Sequence, residues 1–300
     1  QLIYPAVSQG PADLAKVPGS VGLDWFYLPL YPLFESWPGP VTWGGGVALL
    51  LIMAAMPWLP PLRKPAVAAV DLANCNGCSR CYDDCPYNAI DMVRRRDGRP
   101  FALEPLVDPN RCVSCGICAG SCPTSMPFRR MAPLSPGIDL PEHSMSALRD
   151  EIERKAGELS GPARILVFGC GDGVSLDAAR ADNVAVVKLA CVGQLPPAFI
   201  DYALSHNLAD GVVLTGCAPN TCHNRLGIQW TEDRIAGRRD PHLRGRVPKE
   251  RVVQLWAGPR GSAMLRRELD RFAEVLKALG PVNIRQRPGR HESRSETVDA

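Results

Sequence analysis

The sequence predicts a multidomain chain with one transmembrane helix, a small α+β domain wrapped around two cysteine runs, and an α/β domain with a four-stranded parallel sheet. Three observations predict it. No charged residue occurs between Ser36 and Leu62. Eight of the 12 cysteines fall into two tight runs with identical spacing. After Gly161, four short apolar runs alternate with helical stretches, the pattern of strands and covering helices. A chain of 300 residues has room for these parts, and a net charge of +3 is too small to call for a nucleic-acid partner. The 29 prolines are spread along the chain and form no low-complexity tract.

Residues 1–62 form the first expected region. Gln1 is followed by neither a basic stretch nor a small-residue cleavage pattern, so no signal peptide is expected and the chain reads as one that begins within a longer protein. The core "VTWGGGVALLLIMAAMPWLPP" predicts a short helix ended by Pro57, Pro60 and Pro61. A membrane crossing usually takes ~20 residues, and a buried helix of a soluble core is the alternative. Trp43 and Trp58 bracket the stretch as interfacial aromatics do, and Arg63 and Lys64 follow at once. The expectation is a single-pass cell-membrane protein with residues 1–35 outside and the cysteine-bearing part on the cytoplasmic side. Gly44, Gly45 and Gly46 suit packing against other helices.

In residues 63–130, Cys75, Cys78, Cys81 and Cys85-Pro86 are spaced C-x2-C-x2-C-x3-C-P, and Cys112, Cys115, Cys118 and Cys122-Pro123 repeat that spacing. Such tight runs suit metal centres in a reducing compartment, not a disulfide framework. The segment resembles the bacterial two-cluster ferredoxins, in which the fourth cysteine of each run reaches the other cluster. That resemblance implies one 4Fe-4S cluster on Cys75, Cys78, Cys81 and Cys122, and a second on Cys112, Cys115, Cys118 and Cys85; zinc ribbons are the competing use. The two-cluster ferredoxin α+β domain would carry a hairpin turning at Asp97-Gly98. Arg94, Arg95 and Arg96 on it read as a solvated turn rather than a docking patch.

Residues 131–160 read as a proline-rich linker followed by a helix from Met145, capped by Ser144. In residues 161–280 the apolar runs "RILVF", "VAVVKL", "GVVLT" and "VVQLW" predict the four strands. Leu265, Leu269, Phe272 and Leu276 share one face of the last helix. Cys170, Cys191 and Cys217 end the first three strands and Cys222 follows closely, so four thiols collect at the carboxyl edge, where open parallel sheets bind ligands. Four thiolates suit a 2Fe-2S cluster or zinc. "GCGDG" departs from the dinucleotide pattern, and nucleotide binding is the weaker use of that turn. The stretches "ILVFGC", "CVGQLPPAFIDYAL", "ADGVVLTGC" and "CHNRLG" resemble the delta subunit of methyl-viologen-reducing hydrogenase. The resemblance implies a 2Fe-2S cluster on Cys170, Cys191, Cys217 and Cys222, with His223 beside it, and a cytoplasmic flavoprotein or other soluble redox partner. Residues 281–300 are polar and expected to be disordered.

The stretch Leu23–Pro29, "LDWFYLP", resembles the C-terminal region of cytochrome b from quinol-oxidising complexes. That resemblance implies Asp24 as quinol proton acceptor, flanked by Trp25 and Phe26, with quinone or quinol as substrate. The five histidines, 143, 206, 223, 242 and 291, all lie beyond the span, so no haem is expected on this chain and a haem-bearing cytochrome b subunit would be the partner. The expectation is a membrane-bound electron-transfer subunit linking a quinol site to a cytoplasmic partner. A membrane-anchored subunit of a hydrogenase or heterodisulfide-reductase-like complex without a quinone role is one alternative, and an iron-sulfur redox sensor is another.

Overall fold

The computed structural model describes Ala15 and residues 35–59, 66–130, 133–179, 181–282 and 284. The chain divides into two compact units, Gln1–Lys64 and Pro65–Ala300. Asp24, Trp25 and Phe26 lie outside the described residues.

In the first unit, helix α1 (Gly39–Ala55) starts just after Pro38, whose fixed φ of −57° suits a helix entrance. A 3-10 turn, Met56–Trp58, carries the helix past Pro57. Together Gly39–Trp58 span 20 residues of mean hydropathy 1.6 with none of them buried, long and apolar enough to cross a membrane. Trp43 and Trp58 are both exposed.

The second unit begins with β1 (Ala69–Val70), α2 (Arg80–Asp83), β2 (Ile90–Arg94), β3 (Leu103–Val107) and α3 (Ile117–Ser121). Strands β2 and β3 form the expected hairpin, with Ile90 opposite Val107 and Gly98 at φ +75° in the turn. Next come β4 (Ile138–Asp139) and α4 (Met145–Gly157). The stretch expected as a linker is built into the fold: β4 pairs antiparallel with β1, and Leu134, Ile138 and Leu140 are buried. Ser144 caps α4 by accepting from the Ala147 N–H at 3.1 Å.

The remainder is β5 (Ile165–Cys170), β6 (Val184–Leu189), α5 (Pro197–Ser205), β7 (Gly211–Gly216), α6 (Gly227–Ala236), β8 (Val252–Trp256) and α7 (Ser262–Leu279). The four strands form one parallel sheet in the order β6-β5-β7-β8. Central strands β5 and β7 are buried at every position, which is why they read as continuous apolar runs. Alternation divides β5 between the faces: Leu166 and Phe168 join the core with α4 and α5, while Ile165 and Val167 meet Leu265, Leu269, Phe272 and Leu276 of α7. Arg251 donates to the carbonyls of Gly280 and Pro281, and Val282 and Ile284 pack on the core, so packed residues occur within the stretch expected as a disordered tail. The rest of the expected tail lies outside the described residues.

The cysteine-run module and the parallel sheet pack directly together. Every residue of α3 is buried, and the helix meets a 3-10 turn at Val192–Gln194. A Cβ on Gly120 would collide with the Gly193 carbonyl, so the two backbones approach as only glycine permits.

Candidate iron-sulfur centres

Cys75 and Cys78, on the loop entering α2, and Cys81 within α2 line one small hollow together with Cys122 at the end of α3. The loop winds tightly: Ser79 holds φ +62° and the Gly77 N–H donates to Cys75 Sγ at 3.4 Å. Arg95 clamps it from behind, donating to the Cys75 carbonyl at 2.8 Å and the Leu72 carbonyl at 2.5 Å while paired with Asp97. Its side chain is 1% exposed, so the arginine run is not wholly a solvated turn. Burial, followed by the facing thiols Cys122, Cys78 and Cys75, pushes the Cys81 thiol up to about 12. Cys78 is exposed and brings this set to the surface.

Cys112, Cys115 and Cys118 line a second small hollow together with Cys85. The Ala89 N–H donates to Cys85 Sγ at 3.2 Å. Burial pushes Cys115 up to about 11, against a backbone N–H and reinforced by Cys85 and Cys112. Cys118 is pushed well above its ordinary value by burial and then by its neighbours, Cys81 of the other hollow among them, so the two sets adjoin. Each hollow therefore takes three thiols from one run and one from the other.

The parallel sheet brings the remaining four together. Cys170 ends β5, Cys217 follows β7, Cys191 follows β6, and Cys222 lies shortly before α6. They associate in pairs. Cys191 and Cys222 share a hydrogen bond that raises Cys191, helped by burial, and lowers Cys222 to about 5 against its burial. Backbone N–H groups of Ile228, Asn224 and Gly227 also favour the Cys222 thiolate. Burial pushes Cys170 up to about 12, against the N–H of Asp172 and reinforced by Cys217. A Cβ on Gly227 would collide with Cys191 Sγ and stand 3.5 Å from Cys222 Sγ, so only glycine leaves these thiols room. His223 lines a polar cleft outside β5 and β6, with Asp172, Ser175 and Lys188.

Among the described residues no three thiol, imidazole or carboxylate groups converge closely enough to hold a single ion. In each of the first two sets four thiols line one common hollow instead, three from one run and one from the other, the ligand distribution of two-cluster ferredoxins. Mutually opposed, buried thiols are also a donor set that a cationic core stabilises as thiolates. The residues present thus fit iron-sulfur groups.

Several residues that matter here carry no motif. Asp84, next to Cys85, is buried and paired with Arg234 and Arg239, and Arg234 also donates to the Gly193 carbonyl at 2.8 Å. Tyr87 donates to Asn224 Oδ1 at 3.1 Å. A charged residue on the apolar face of α6, beside Ile228, Trp230 and Thr231, is the only sequence signal that could have flagged Arg234.

Residues 74–126 match the family model of the 4Fe-4S dicluster domain. An uncharacterized ferredoxin of Methanocaldococcus jannaschii is 39% identical over 56 residues, covering 19% of this chain and 68% of that protein. The chain belongs, through this segment, to the 4Fe-4S ferredoxins. A polyferredoxin-like protein of the same organism is 33% identical over 67 residues, 21% of this chain and 40% of that protein. Residues 173–280 match the model of the methyl-viologen-reducing hydrogenase delta subunit. An iron-sulfur subunit of the vhc F420-non-reducing hydrogenase of Methanococcus voltae is 26% identical over 108 residues, covering 36% of this chain and 74% of that protein. This ferredoxin-bearing chain is an iron-sulfur electron-transfer subunit related to hydrogenase-type subunits.

Proposed function

We propose that the chain is a membrane-anchored electron-transfer subunit of a hydrogenase or heterodisulfide-reductase-like complex, carrying two 4Fe-4S clusters and a third, 2Fe-2S centre. The observation that carries this reading is the packing of a two-cluster ferredoxin module directly onto a sheet edge that gathers four further cysteines. Cys75, Cys78, Cys81 and Cys122 would hold one cluster, Cys112, Cys115, Cys118 and Cys85 the next, and Cys170, Cys191, Cys217 and Cys222 the third. Such clusters, when bound, accept and release single electrons at potentials set by hydrogen bonds and exposure around the sulfurs. The chain's own residues supply those conditions. Arg95 holds the Cys75 loop, backbone N–H groups aim at Cys85 and Cys222, and buried α3 excludes water between the modules. The two-and-two association of the last four thiols suits a two-iron core with two ligands on each iron.

Helix α1 would anchor the chain, and Arg63 and Lys64 favour the side carrying the iron-sulfur modules as the cytoplasmic one. The soluble partner would be a flavoprotein or another redox subunit. The quinol role drawn from Asp24 and the cytochrome b resemblance has support from neither matched segment, and the hydrogenase reading stands without it.

Anaerobic purification in mild detergent followed by iron and acid-labile sulfide analysis tests the reading. About ten irons per chain are expected, from two four-iron clusters and one two-iron cluster. A Cys191→Ser, Cys222→Ser variant should fall to about eight while keeping the ferredoxin signals. About eight irons with one zinc in the unaltered chain would refute the third centre.

A further inference from the structure

The loop carrying Cys85 is tied directly to the loop carrying Cys222. Tyr87 donates to Asn224 Oδ1 at 3.1 Å, and Asn224 is 6% exposed. Arg225 donates to the Pro86 carbonyl at 2.9 Å, and its guanidinium carbon lies 4.8 Å from the Tyr87 ring centroid. Arg225 holds φ +59°, a conformation that costs a non-glycine residue free energy and that these contacts stabilise. Beside this bridge, Ile117 is wholly buried in one apolar cluster with Cys115, Cys191 and Trp230. Cys78, of the remaining set, opens to the surface.

We propose that Tyr87, with Asn224 and Arg225, is the positioning bridge that holds the Cys85, Cys112, Cys115, Cys118 centre against the Cys170, Cys191, Cys217, Cys222 centre. The second ferredoxin centre is then the middle of three, and the Cys75, Cys78, Cys81, Cys122 centre is the outer terminal. The inference rests on the proposed assignment of iron-sulfur centres to all three cysteine sets. Its chemical consequence follows from where the bridge ends. Anchoring the Asn224 side chain fixes the turn from Cys222 to the start of α6, where the Gly227 backbone lies close to Cys222 Sγ. Donors to a ligand sulfur stabilise the reduced, more negative form of a centre and raise its potential. Releasing the bridge therefore lowers the potential of the third centre.

The test is a redox titration of the full-length chain, in detergent and without oxygen, followed by low-temperature electron paramagnetic resonance and iron analysis. In the unaltered protein, the signal of the reduced third centre should broaden and relax faster once the middle centre is also reduced. Tyr87→Phe and Asn224→Ala remove the same hydrogen bond. Each should shift the third midpoint to more negative potential, with the double variant no further shifted than either single one. Iron content and the midpoint of the outer centre should stay as they were. A third-centre signal indifferent to the state of the middle centre overturns the order, and this measurement needs no variant. An unmoved midpoint in Tyr87→Phe overturns the bridge. About eight irons and no third signal in the unaltered chain would instead remove the assignment beneath the inference, and the inference with it.

Discussion

The contact between the modules turns on one buried carboxylate. Asp84, its side chain 4% exposed, faces Arg234, 1% exposed, and Arg239, 30% exposed. Replacing Asp84 with Leu leaves the Arg234 guanidinium buried with the Gly193 carbonyl as its remaining partner, while its Nε has none. Stranding such a charge costs about 3–5 kcal/mol. Replacing Arg234 with Met is milder, because Asp84 still accepts from Arg239 Nε at 2.8 Å. That change removes hydrogen bonds without leaving the carboxylate unpaired, and costs about 1–3 kcal/mol. In the double variant neither charge is stranded at the centre of the contact, and Arg239 can turn toward water. Its stability should lie near that of Arg234→Met and above that of Asp84→Leu. Anaerobic urea titration followed by the visible absorbance of the clusters reads the order. At a slope of about 2–3 kcal/mol per molar, Asp84→Leu should lower the midpoint by roughly 1–2 M. Equal losses in the two single variants, or a double variant that loses their sum, would refute this account of the ion triad.

Three further outcomes follow from the sites. Gly227→Ala places a methyl group against Cys191 Sγ and Cys222 Sγ, so iron should fall by about two atoms per chain with both ferredoxin signals retained; full iron content would show that the helix start can shift aside. Arg95→Ala removes the donors to the Cys75 and Leu72 carbonyls, and spectroscopy after brief exposure to a chelator should find the outer centre lost before the middle one. Asp139, packed at the β1–β4 pair, is raised to about 6 by burial, against N–H donors from Met145 and Leu140. The folded state then binds a proton more tightly than the unfolded chain, so this group's contribution favours folding below pH ~4 and is lost as pH rises through about 6. Asp139→Asn should flatten that part of the stability profile, and urea midpoints at pH 4, 5, 6 and 7 that keep the parental slope would contradict the assignment.

Much of the site was legible because its signals are local. The spacing of Cys75, Cys78 and Cys81 follows from how few residues can separate thiols that must face one hollow, and the same constraint repeats at Cys112, Cys115 and Cys118. Cys170 and Cys217 stand where apolar runs end, and parallel strands carry those ends to one edge. The Arg94–Arg96 run misled because a charge run ordinarily faces water. Arg95 is buried because bent loop carbonyls at Leu72 and Cys75 need donors, a demand that exists only once the loop has wound up.

The elements were legible in the sequence: a short apolar helix, two cysteine runs of identical spacing, and four strands, three of them with a thiol at or just past the end. Periodicity and motif spacing act within a few residues, and a linear reading detects them. Folding in three dimensions is what makes the ferredoxin module and the sheet one unit, closes β4 on β1, and puts Cys85 rather than Cys75 on the loop tied to Cys222. Asp84 and Arg234 are 150 residues apart, and Tyr87 and Asn224 are 137 apart. Such pairs leave no periodic trace, because their interaction appears only after packing has removed the water that would otherwise satisfy each group alone.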